Sequence, residues 1–111
     1  MEIYFSSQKL EKLAYDQRKC QKVMGSLRAK KFLRRLQDLM DASSLEDLRS
    51  ASGNYHELVE NRKGQWSCDL DQPYRLIFEP YKKPIPTDDS GRFLWHEITI
   101  IEIIEIVDYH G

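Results

Sequence analysis

Nowhere does this chain stay apolar for the ~18 residues that a membrane-spanning helix requires. Its start, Met1-Glu2-Ile3-Tyr4-Phe5-Ser6, has neither the basic opening nor the apolar core of an export signal. Both absences argue against a membrane or secreted protein, and the cytoplasm is the expected location. Cysteine is scarce. Cys20 and Cys68 fall in segments of different character, with no CxxC or Cys/His spacing around either, so neither a disulfide framework nor a zinc site is expected and both should be reduced thiols. The chain also has no glycine-rich phosphate loop, no serine elbow and no carboxylate pair at a motif spacing. No metal or other cofactor is expected, and no internal repeat or low-complexity tract interrupts the sequence.

What is present fits a globular domain. The 111 residues, 41% hydrophobic and 32% charged, suit one domain spanning 1–111. A formal net charge of -1 looks unpromising for a nucleic-acid partner, but the average hides a segregation. Between Lys9 and Arg35 the bases Lys9, Lys12, Arg18, Lys19, Lys22, Arg28, Lys30, Lys31, Arg34 and Arg35 meet only Glu11 and Asp16; from Asp88 onward acids dominate. One electropositive face on a nearly neutral protein follows from such asymmetry, as does a merely solvated helix surface.

Ile3-Tyr4-Phe5 is a short apolar start that suits an edge strand or a segment packed beneath helices. Ser6 or Ser7 can cap a first helix carrying Leu10, Leu13, Ala14, Cys20, Val23 and Met24 at roughly helical spacing. Gly25 suits the left-handed position that ends it, and Ser26 can cap a second helix with the stripe Ala29, Phe32, Leu33, Leu36, Leu39 and Met40. A helical turn is expected around Ser44-Leu45-Glu46-Asp47. Beyond Gly53-Asn54 the composition shifts to strand formers: residues 55–59, 65–70, 74–80 and 98–109. The links Arg62-Lys63-Gly64 and Asp71-Gln72-Pro73 are short, which predicts an antiparallel meander. The loop from Tyr81 to Phe93 is expected to project from the sheet, and the almost continuous apolar last strand should be central and covered on both faces, with a bulge near Glu102 and Glu105. The expectation is α+β: two N-terminal helices on a small twisted antiparallel sheet. Trp66 and Phe78 should be core residues, and His96, at the start of the last strand, incidental.

Three places carry chemistry: His56 at the start of the meander, Arg75 in its third strand, and Asp108-Tyr109-His110 at the end. An antiparallel arrangement allows them to converge on one face.

The stretch His56-Glu57-Leu58-Val59-Glu60-Asn61-Arg62-Lys63-Gly64-Gln65-Trp66-Ser67, followed by Tyr74-Arg75-Leu76-Ile77-Phe78 and closed by Val107-Asp108-Tyr109-His110, resembles the HigB-like toxins of the RelE/ParE superfamily. The resemblance covers roughly residues 55–110, with the N-terminal helices agreeing in length and pattern. It implies a RelE-like fold and a toxin of a type II toxin-antitoxin system, a ribosome-dependent endoribonuclease that cuts mRNA without a metal. The implied partners are the ribosome, mRNA and a helix-turn-helix, HigA-like antitoxin. By the same resemblance His56 and His110 are the acid and base in either order, Arg75 holds the scissile phosphate, Asp108 orients a histidine or accepts a proton, and Tyr109 stacks on a base or donates to the phosphate. Lys30, Lys31, Arg34 and Arg35 would contact RNA. Many relatives carry lysine where this chain has Val59, and Arg62 and Lys63 on the next turn are the candidates to replace that charge. Two other readings stay open: a noncatalytic ParE-like inhibitor of DNA gyrase, and a module that blocks translation through its basic helices alone.

Overall fold

The computed structural model describes residues 1–108. The chain begins with β1 (Glu2–Phe5), followed by three helices, α1 (Gln8–Tyr15), α2 (Gln17–Met24) and α3 (Ser26–Asp41). Four strands then build the sheet: β2 (His56–Glu57), β3 (Trp66–Asp69), β4 (Tyr74–Pro80) and β5 (Ile100–Asp108). The architecture is α+β, as expected, with refinements at both ends of the chain.

The expected first helix is two. Asp16 has an extended backbone, closes α1, and caps α2 by accepting from the Lys19 amide at 3.0 Å. A carboxylate that serves an N-cap cannot also sit in a continuous helix, so the helical spacing of Leu13 and Cys20 spans a break. Ser7 caps α1 by accepting from the amides of Lys9 and Leu10. Ser26 is the first residue of α3 rather than its cap. Gly25, at φ 83°, occupies the cap position without a side-chain bond.

The sheet is mixed, in the order β1-β5-β4-β3-β2, because β1 joins β5 in parallel while the other pairs are antiparallel. A parallel pair needs a long crossover; here the helices and the rest of the sheet intervene. β5 is interior, but only its helix-side residues Ile101 and Ile103 are fully buried. The expected double coverage is absent because α1–α3 lie on one face and the opposite face keeps Glu102, Glu105 and Val107 half-exposed. The bulge falls where expected: Ile77 faces Glu105 and Phe78 faces Ile103, leaving Ile104 extra.

Trp66, Phe78, Cys68, Leu76 and Ile103 meet Phe32, Leu36 and Leu39 of α3 in the core. Each large apolar side chain buried there stabilises the fold by about 1.5–3 kcal/mol. Val23 and Met40, placed on apolar stripes by spacing, are instead half-exposed to solvent, at 51% and 50%. Nor does the 81–93 loop project. Ile85 and Phe93 pack against the core, Thr87 bridges Phe93, and the Leu94 amide donates to the Pro86 carbonyl. His96 lies in the short helical turn Trp95–Glu97 rather than on a strand.

Candidate active site

Strand alternation decides which side chains reach the sheet face opposite α1–α3. Tyr55 points inward, its hydroxyl donating to Asp38 Oδ2 at 3.2 Å and its ring edge-on to Phe78; burial pushes the phenol pKa well up. Anchoring Tyr55 in the core turns His56 to the other face. The Gly53-Asn54 turn, with φ 122° and 56°, delivers the Asn54 carbonyl 2.8 Å from His56 Nδ1. A carbonyl only accepts, so Nδ1 carries the proton, and in the neutral ring Nε2 is left as the acceptor. Nε2 faces Ser67 Oγ at 3.4 Å, across the β2–β3 register pair.

Two residues along β3, Asp69 shares this face and pairs in register with Arg75. Arg75 Nε lies 3.6 Å from Asp69 Oδ1, each side chain about a quarter exposed. Asp69 also accepts from Asn54 Nδ2 at 3.4 Å, its amide donates to the Gly53 carbonyl at 2.8 Å, and its own carbonyl accepts from Arg35 Nε at 2.7 Å. One residue therefore ties the turn before His56 to the strand beside Arg75 and to α3. The sequence motif contains Ser67 without a role and stops short of Asp69, although the alternation Trp66-Ser67-Cys68-Asp69 sets both opposite the core side chains.

His56 and Arg75 thus share one face, with Ser67 and Asp69 between them. Val107 pairs with Arg75 in register, while Asp108 pairs with Tyr74, whose ring packs on the helix side beneath the Arg28 guanidinium at 3.5 Å. Register gives Asp108 the other parity, but at the strand's end it lines, with Val107, Val59 and Arg62, a depression of about 560 Å³. Tyr109 and His110, the remaining expected catalytic residues, lie outside the described residues.

The basic candidates divide. Lys30 and Arg34 are exposed, Arg34 lying 3.4 Å from Asp38. Lys31 lines a cleft of about 550 Å³ whose other wall carries Asn54 and Asp69, next to His56. Arg35 is turned inward, 13% exposed, held by the Asp69 carbonyl and by Asp38 at 3.7 Å. Arg62 is held on the open face by Gln65 at 2.8 Å and Glu105 at 3.1 Å. Lys63 is exposed, its ammonium 5.7 Å from the Phe93 ring. The far part of the open face is acidic, with Glu79 opposite Glu102 and Glu79 bonded to Gln65 and Lys83. Among the described residues no group of three His, Cys, Asp or Glu side chains gathers as metal ligands.

Residues 3–87 match the family model of the HigB-like toxin, described as the RelE-like toxin of the type II toxin-antitoxin system HigB. The chain belongs to this family. As a HigB-like toxin it includes His56 and Arg75 within the matched stretch, and α1–α3 as well, whereas Asp108 falls beyond it. Its fold is similar to that of a chain in the "YoeB-YefM complex from Staphylococcus aureus", with a TM-score of 0.57 at 20% identity over 100% of this chain and 98% of that one. No curated protein matches.

Proposed function

We propose that this HigB-like toxin is a ribosome-dependent endoribonuclease that halts translation by cutting mRNA through attack of a ribose 2′-hydroxyl on the adjacent phosphate. The observation that carries this reading is that His56 and Arg75 share the sheet face opposite α1–α3. Such a cut needs a base for the 2′-hydroxyl, positive charge beside the phosphorane, and an acid for the departing 5′-oxygen. His56, with Nδ1 committed to a carbonyl, offers Nε2 as the base. Arg75 stays charged and presents parallel donors to phosphate oxygens. The leaving-group proton then falls to His110, which the resemblance pairs with His56 as acid and base in either order; no metal is required for these steps. Lys30, Lys31 and Arg34 add the sequence-independent attraction to phosphates.

The natural inhibitor in this reading is a helix-turn-helix, HigA-like antitoxin, and the compartment is the cytoplasm, where translating ribosomes are. The similarity to a chain of a YoeB-YefM complex supports a proteinaceous partner. Induction of the chain should arrest growth and create new mRNA 5′ ends inside translated codons, and His56→Ala or Arg75→Ala should abolish both. Arrest with intact mRNA would overturn the nuclease reading, and gyrase-dependent DNA breaks would point to the ParE-like one.

A further inference from the structure

A second groove, of about 450 Å³, lies on the far side of the Val59 ridge from the depression at Asp108. We propose that it holds a nucleotide flanking the cleavage point, the base against Phe93 and its phosphate between Lys63 and Arg92. This rests on the RNA-cleaving reading above and adds to it a site for substrate choice.

Continuity with the depression at Asp108 is the first argument. Leu58, Val59 and Glu60 line both depressions, so a strand leaving one crosses a short ridge into the other. Val59 is 70% exposed, unusual for an aliphatic side chain, and the next residue, Glu60, is held at φ 59°. A non-glycine residue in the left-handed region costs about 1 kcal/mol or more and persists only where surrounding structure enforces it. Here it shapes the ridge that turns Val59 outward.

Chemistry of the walls is the second. The floor is internally satisfied: Arg49 pairs with Glu46 at 3.0 Å and Glu57 at 2.7 Å, and the other Glu57 oxygen accepts from Trp95 Nε1 at 3.0 Å. Arg49 offsets one of those two carboxylate charges, and the neutral Trp95 indole fixes Glu57. Phe93 leans on the buried Trp95, ring centroids 4.9 Å apart, and is itself half-buried. The outward cations are Lys63, which has no carboxylate partner among the described residues, and Arg92, 80% exposed and 3.1 Å from Asp88. Glu60 is the one opposing charge on the ridge. An aromatic ring flanked by two mobile-stemmed cations suits a base and its phosphate, since stacking is tolerant of base identity while the cations take the backbone. The same cavity size falls within the roughly 300–1,000 Å³ of small-ligand sites.

The long loop acquires a role in this account. Its Asp88–Arg92 turn, closed by the Asp88 carboxylate accepting from the Ser90 and Arg92 amides, brings Arg92 and Phe93 back to the ridge.

The test uses the full chain on ribosomes carrying a defined mRNA, reading the cleavage rate and the nucleotides flanking each cut. Lys63→Ala combined with Arg92→Ala, both exposed, should lower kcat/KM about tenfold, with the thermal midpoint and antitoxin binding unchanged. Phe93→Leu, which keeps an apolar side chain against Trp95, should alter the flanking-nucleotide preference. If both variants cut at the wild-type rate with the wild-type preference while His56→Ala is inactive, the groove proposal falls and the ribonuclease reading stands. Loss of antitoxin binding with unaltered cleavage would assign the groove to a protein partner and also overturn it. A wild-type chain that cuts nothing overturns both.

Discussion

Arg35 donates through Nε to the Asp69 carbonyl at 2.7 Å, reaching from the basic helix α3 to the strand beside Arg75. It is therefore a structural tie within a helix face whose neighbours Lys30 and Arg34 are solvent-exposed. Arg35→Ala should destabilise the fold by about 2 kcal/mol, the loss of a largely buried bond from a charged donor, measured as a lower urea midpoint. Replacing Lys30, Lys31 and Arg34 together should instead leave the urea midpoint nearly unchanged and reduce ribosome affinity, with a shallower salt dependence. Unaltered ribosome binding would make that face a solvated surface only.

The same guanidinium explains a glycine. A Cβ built on Gly53 would stand 2.8 Å from Arg35 Cζ, and the residue sits at φ 122°. Gly53→Ala combines a backbone that L residues rarely adopt with displacement of Arg35, and should cost about 1–3 kcal/mol. Because Gly53 also accepts from the Asp69 amide, the variant should lower cleavage as well. An alanine variant with wild-type stability would show that the turn relaxes freely.

The thiols titrate out of reach. Burial pushes Cys68 up to about 12, and burial also raises Cys20. In the folded chain both should resist alkylation at neutral pH and react once denaturant opens the core. The folded pKa of Cys68 exceeds its unfolded one, so its contribution is fully present below pH 9 and is lost as the pH rises toward 12. Rapid labelling of the native protein would contradict the buried placement.

Much of this was legible in the chain itself. The helix stripe, the meander, the bulge between Glu102 and Glu105 and the core roles of Trp66 and Phe78 follow from periodicity. The parallel pairing of β1 with β5 was not, since the two segments lie at opposite ends and no local spacing records the contact. The division of the first helix at Asp16 was hidden because Leu13 and Cys20 keep helical spacing across it. Arg35 reads in the sequence as one of the surface bases, yet it stands three residues after Phe32 and four before Leu39, on the flank of the apolar stripe. His56 and Arg75 stand out in the sequence both as chemistry-bearing residues and as parts of the family motif; Asp69, which ties their strands together, needs the register.

The central claim is that His56 Nε2 serves as the base on the face it shares with Arg75. The direct measurement is single-turnover cleavage of a defined mRNA on purified ribosomes by wild type, His56→Ala and Arg75→Lys. The account predicts a fall of about 10²–10⁴-fold for His56→Ala, and a substantial fall for Arg75→Lys, which keeps charge but not the paired donors. Wild-type rates in His56→Ala would contradict it.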